Sequence, residues 1–227
     1  MVWAMLQENR ELAEEQGRIA AQTDDKYTEL MAKGMQYGAK EDFRRAGKTY
    51  REAIALRPDR PEAYVNLGNT LANSGHYVEA AQWYLEAKER FLAGSKDWAM
   101  ATALAFDQLR MKQCAEVAKP EWWNDEGLKA LSARVVRAAP NGQIAQSMRA
   151  AVLCGTVRAW EVGPRSAAEL TEAAARLDRC VALHTAPAAK AVCAVKADSC
   201  RSQAVQCRLV SRYCTSAQRH LPFVFCL

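Results

Sequence analysis

Two consecutive stretches of the chain superimpose without a gap. YTELMAKGMQYGAKEDFRRAGKTYREAIALRPDR (27–60) lies over PEAYVNLGNTLANSGHYVEAAQWYLEAKERFLAG (61–94) at an offset of 34 residues. Leu30 meets Tyr64, Gly34 meets Gly68, Tyr37 meets Leu71 and Phe43 meets Tyr77; further on, Ala46 meets Ala80, Tyr50 meets Tyr84 and Ala53 meets Ala87. Large residues answer large and small answer small. A unit repeated at this period cannot bury its apolar face alone and must stack on a copy of itself.

Each unit reads as two helices. Tyr64, Leu67, Gly68 and Leu71 recur at steps of three and four, which is one helical face. Asn73-Ser74-Gly75 breaks it, and Tyr77, Ala80, Ala81, Tyr84, Leu85 and Ala87 form a second face. Gly68 and Ala80 let the two helices approach closely, and aromatics fill the space one turn away. Pro58 stops the first unit's second helix, and Pro61 opens the next, where its missing N–H costs nothing.

Period and signature together resemble the tetratricopeptide repeat (TPR), a helix–turn–helix unit of ~34 residues. Gly34 and Gly68 match its glycine, Ala46 and Ala80 its alanine, and Tyr50 and Tyr84 its later aromatic; Ala53 and Ala87 follow one turn on. Pro58 matches the closing proline, which Leu92 replaces in the second unit. Later segments are degenerate. Trp98 opens a third hairpin whose first helix is expected to run to Ala118, and Asn124 or Asp125 is placed to cap the helix that follows. QIAQSMRAAVLCG and SAAELTEAAARLDRCVALH form a fourth hairpin.

The resemblance implies an all-α fold: a right-handed α-solenoid of stacked hairpins with a capping helix at each end. The expected divisions are an N-terminal capping helix (1–26), two tandem repeats (27–94), an elongated hairpin with a loop at 119–125 (95–140), a fourth hairpin (141–186), and a long C-terminal capping helix with a tail (187–227). The N-terminal stripe of Met5/Leu6, Leu12/Ala13 and Ile19/Ala20 is too broken by Asn9 and Gln16 for a coiled coil, and is expected to cover the open end of the array.

No apolar run approaches the ~18 residues of a membrane span. The opening residues turn acidic and polar too soon for a secretory signal. With 8 cysteines, this predicts reduced thiols and a cytoplasmic or nuclear protein. Residues 1–126 carry 17 basic against 21 acidic side chains, and residues 127–227 carry 14 against 5, a swing from −4 to +9. An acidic partner or nucleic acid is the alternative reading of that basic half. A solvated helical surface is preferred, because the charges are dispersed and Tyr213 is the main aromatic available for base stacking.

The chain has none of the phosphate-binding, dinucleotide-binding, H-E-x-x-H or C-x-x-C patterns. His76, His184 and His220 are dispersed; Cys180 and His184 share a helical face but lack a third ligand. No enzyme activity, catalytic residue, metal or cofactor is expected. Trp122-Trp123 reads as packing before a helix start rather than as an aromatic platform.

The first helices of TPR hairpins line a concave face that binds a peptide or helix. By resemblance, the groove residues are Met31 and Met35, then Val65, Asn66, Asn69 and Asn73, then Lys96 and Met100. A TPR subset that grips acidic chaperone tails needs a lysine and an asparagine where this chain has Met31 and Met35. It needs an asparagine at Asn66, and a lysine and an arginine at Lys96 and Met100. Two matches in five leave that electrostatic grip incomplete, so a chaperone tail is not the expected partner. Methionines flanked by amides suit an unidentified apolar or amphipathic peptide or protein segment.

Cysteines fall on every seventh residue from Cys193 through Cys200 and Cys207 to Cys214, in a segment read as one helix. Seven residues rise ~10.5 Å, beyond the ~7 Å that a disulfide allows between α-carbons. Neighbours in the stripe therefore cannot bond one another or share a zinc ion. With Ala197 and Ala204 they make a seam of small side chains suited to close packing.

Overall fold

The computed structural model describes the backbone of residues 2–155 and 163–220, and the side chains of 15, 16, 18, 19, 21–155 and 163–210. All regular structure among the described residues is helical, in two compact units, Met1–Ala93 and Gly94–Leu227. The first unit holds α1 (Val2–Ala39), α2 (Phe43–Leu56), α3 (Glu62–Asn73) and α4 (Tyr77–Arg90), each packed on the next. The second holds α5 (Lys96–Leu109), a short 3₁₀ turn (Lys112–Cys114), α6 (Asp125–Ala138), α7 (Gln143–Cys154), α8 (Ala167–Leu183) and α9 (Pro187–His220).

The 34-residue equivalence extends to single hydrogen bonds. The α1–α2 turn closes with Glu41 N–H on Gly38 O (3.0 Å) and Asp42 N–H on Tyr37 O (3.0 Å). The α3–α4 turn repeats both, as Gly75 N–H on Ala72 O (3.1 Å) and His76 N–H on Leu71 O (2.8 Å). Both pivots are left-handed, with φ +59° at Glu41 and +83° at Gly75. Of the two residues, only glycine adopts this conformation without steric cost.

The glycine–aromatic interlock is equally literal. A β-carbon at Gly34 would stand 2.6 Å from Tyr50 Cε1, and one at Gly68 would stand 2.7 Å from Tyr84 Cε1. Ala46, Ala53, Ala80 and Ala87 are fully buried, and Tyr50 and Tyr84 are 4% and 1% exposed. The Pro58 carbonyl, at the junction of the repeats, accepts from Tyr64 Oη (2.9 Å) and Arg90 Nε (3.0 Å), and the Arg90 guanidinium lies over the Tyr64 ring.

Two expectations are corrected. The N-terminal helix does not stop before the first repeat: α1 runs unbroken from Val2 to Ala39, since no proline interrupts the segment between. Ile19 is half-exposed, and the other residues of the proposed apolar stripe lie outside the described side chains. In the third hairpin α5 stops at Leu109, not at Ala118. Met111 turns extended and the chain folds through the 3₁₀ turn, which buries Cys114 completely; Lys119 Nζ holds its carbonyl. Asn124 caps α6 as expected, its Oδ1 accepting from Gly127 N–H at 2.8 Å. Trp123 is buried against Phe106, with ring centroids 5.6 Å apart, and the start of α6 packs on the Trp122 backbone.

Candidate functional site

In the first unit, the candidate binding residues come from α1 and α3, the leading helices of the two hairpins. Met35 and Asn69 are equivalent at the 34-residue offset, as are Met31 and Val65. Met35 is 55% exposed. Asn69 and Asn73 are exposed, and Met31 and Asn66 are half-buried. Met31 packs on the buried cluster of Tyr27, Leu30, Ala53 and Ala63. Val65 is 6% exposed, so its side chain serves the core and offers a partner almost no surface.

Asn69 has a second task that spacing alone did not show. Tyr84 Oη donates to its Oδ1 at 2.7 Å, tying α4 to α3. The first repeat has Met35 there, whose thioether is a weak acceptor. Met35 is therefore the freer of the two equivalent residues. The Tyr50 hydroxyl, buried between α1 and α2, has its pKa raised by desolvation.

Lys96 and Met100 belong to the second unit, on α5. Lys96 is exposed and Met100 is 38% exposed, while Ala103 on the same helix is fully buried. Of the residues expected for the repeat signature, Gly34, Ala46, Tyr50, Gly68, Ala80, Tyr84 and Ala87 are buried, and Pro58 alone lies at the surface.

Several basic side chains of the second unit are paired within it. Asp125 receives Arg165 through two bonds of 2.6 and 3.0 Å, and Lys129 bridges Asp125 (3.0 Å) and Glu169 (2.6 Å). Burial alone would raise the Glu169 pKa, but hydrogen bonds from Lys129 and from the Ser166 backbone and hydroxyl outweigh it and hold the carboxyl at about 2. Arg149 grips Glu172 with two bonds of 3.0 Å and donates to the Lys129 carbonyl at 2.8 Å, joining α6, α7 and α8. Hydrogen bonding from Arg149, with further help from Arg176, lowers the Glu172 pKa. Arg201 pairs with Asp178 and Asp198.

Among the described residues no group of three or more His, Cys, Asp or Glu side chains converges as a metal site. Cys180 and His184 both turn to Gln143: the thiol donates to its carbonyl at 3.8 Å, and His184 Nε2 lies 3.2 Å from its amide nitrogen. No described helix is long and apolar enough to cross a membrane.

Residues 31–95 match a family model described as a tetratricopeptide repeat. The chain is also similar in fold to the solved structure of MamA protein, with a TM-score of 0.51 and 15% identity, covering 89% of this chain and 100% of that one. A thermophilic TPR protein in Thermus thermophilus gives a TM-score of 0.52 at 18% identity, covering 85% of this chain and 99% of that one. No curated protein matches in sequence.

Proposed function

We propose that this chain, a tetratricopeptide-repeat protein of all-α solenoid fold, is a non-enzymatic interaction module that binds an apolar or amphipathic segment of another protein. The face that carries this reading is built from Met31, Met35, Asn66, Asn69 and Asn73, on the leading helices of the two clear repeats. One observation supports it above the others: Met35 is 55% exposed at a position whose repeat equivalent, Asn69, is held by Tyr84. An exposed methionine beside amides offers adaptable apolar contact with hydrogen-bonding groups at its border.

The test is affinity capture of partners from the source cell by the full chain, compared with a Met35→Lys/Asn73→Glu variant. Both positions are exposed. Recovery of the principal partner is expected to fall about tenfold or more while the helical spectrum and Tm stay unchanged. It should also depend only weakly on salt, unlike phosphate binding. Unchanged recovery would remove this face from the reading.

A further inference from the structure

The cysteine stripe of α9 does not pair along its own helix, but it faces other cysteines. Helices α8 and α9 form an antiparallel hairpin whose buried residues oppose one another in order. The register is set by Cys207 Sγ, which donates to Arg165 O at 3.7 Å, and by Arg201, which bonds Asp178 at 2.6 Å; counting from there puts Leu170 near Ala204, and Ala173, Ala174 and Leu177 in one buried cluster with Cys200 and Ala197. The next level in that register sets Cys180, on the buried face of α8, against Cys193 on α9. Cys200 meets a cysteine from a third helix. It shares a buried cluster with Ala150 and Leu153 of α7, against which Cys154 packs. Cys154 and Cys200 also line one cavity of about 120 Å³. The two pairs are one seven-residue step apart along α9, a rise of ~10.5 Å. All four thiols are free.

We propose that Cys180–Cys193 and Cys154–Cys200 are reversible disulfide sites, two rungs that lock α9 onto the α7–α8 hairpin under oxidising conditions. Access differs from rung to rung. Cys193 is half-exposed while Cys180 is fully buried, so Cys193 takes the first attack and Cys180 resolves it. At the other rung Cys154 is half-buried and the cavity rim includes exposed Ser147, Lys196, Ser199 and Gln203, which opens the site to a small oxidant. The oxidant is a low-molecular-weight disulfide such as oxidised glutathione. The more accessible thiolate attacks one glutathione sulfur and expels a glutathione thiolate. The second cysteine thiolate then attacks the protein sulfur of the mixed disulfide and expels the other. Each rung loses two protons and two electrons, and both are taken up as two glutathione thiols. Desolvation raises the pKa of Cys180 to about 11 and that of Cys154 as well, so the resting thiols are protonated and react slowly. The rungs therefore register sustained oxidation rather than a brief pulse.

The experiment equilibrates the purified full chain with oxidised glutathione, alkylates remaining thiols and maps non-reduced peptides by mass spectrometry. Both linkages are expected, with buried Cys114 still recovered as a free thiol. Oxidation should raise Tm by about 5 °C or more, and dithiothreitol should reverse this. A Cys193→Ser/Cys200→Ala variant should fold with the same helical content and show neither the cross-links nor the shift. Recovery of all four cysteines as alkylated thiols or glutathione adducts, or links that pair them otherwise, would overturn the proposal.

Discussion

The two units of this chain hold their helices together by different means. In Met1–Ala93 the recurring contact is apolar: a helix glycine admits a tyrosine ring from the next helix, and the same pair recurs 34 residues later as Gly34–Tyr50 and Gly68–Tyr84, while polar pairs such as Asp24 with Arg57 and Arg60 occur once. In Gly94–Leu227 the helices are joined by non-repeating polar clamps, Asp125–Arg165, Lys129–Glu169 and Arg149–Glu172, and by a seam of alanine and cysteine along α9. A repeated contact is selected as a unit and leaves a periodic trace. A clamp such as Asp125–Arg165, 40 residues apart, solves one local problem once.

The largest test of that contrast is Tyr84→Ala. The side chain is 1% exposed, and its hydroxyl also holds Asn69. Removing it opens a cavity under Gly68 and should cost about 3–5 kcal/mol. Amide exchange across α3 and α4 should accelerate roughly a hundredfold or more, with α7 and α8 nearly unchanged. Equal acceleration in both units would show that they unfold as one, and the contrast would lose its energetic meaning.

Periodicity explains what the sequence disclosed. Gly34, Gly68, Tyr50, Tyr84 and the closing Pro58 could be assigned because each residue's partner stands one period away or at a fixed step within the unit. Asn124 was legible as a cap because capping is local chemistry. What stayed hidden had no local or periodic cause. The end of α5 at Leu109 comes with a non-local packing feature, a 3₁₀ turn that buries Cys114, to which the helical pattern is blind. The second task of Asn69 depends on a tyrosine 15 residues away on another helix. The α9 stripe was readable as a packing seam, but that Cys180 and Cys154 face it required the hairpin register. In the candidate binding face, the same limit separates Met35, which is exposed, from Val65, which is not.

A smaller test addresses the polar unit through pH. The carboxyl of Glu169 titrates at about 2 in the folded chain, well below the usual glutamate range near 4.3. A depressed folded pKa gives stability that is fully present above the unfolded value and is lost as pH falls through the folded one. Lowering the pH from about 5 to about 2 should therefore weaken the second unit. With solvent screening of a partly exposed pair, the Glu169 share is about 1 kcal/mol. Glu169→Gln should lower Tm at neutral pH and flatten the acid limb by that amount. An acid limb identical to that of the unmodified chain would show that the Lys129–Glu169 contact contributes nothing net.

The smallest effect tests the repeat equivalence inside the first unit. Glu41 and Gly75 occupy the same pivot in their turns, at φ +59° and +83°, and their flanking hydrogen bonds coincide. A residue with a β-carbon carries a steric penalty in that region which glycine does not, although glycine loses more freedom on folding. At a left-handed helix stop the steric gain exceeds the entropic loss, so Glu41→Gly should stabilise the chain by about 0.5 kcal/mol. Gly75→Ala should destabilise it by about 1 kcal/mol, because the second turn would then carry the same strain. Opposite signs in a pair of thermal melts would confirm that one turn is used twice. A destabilising Glu41→Gly would mean that the glutamate side chain makes contacts in its turn that offset the backbone strain, and the two repeats would be equivalent in path but not in energy.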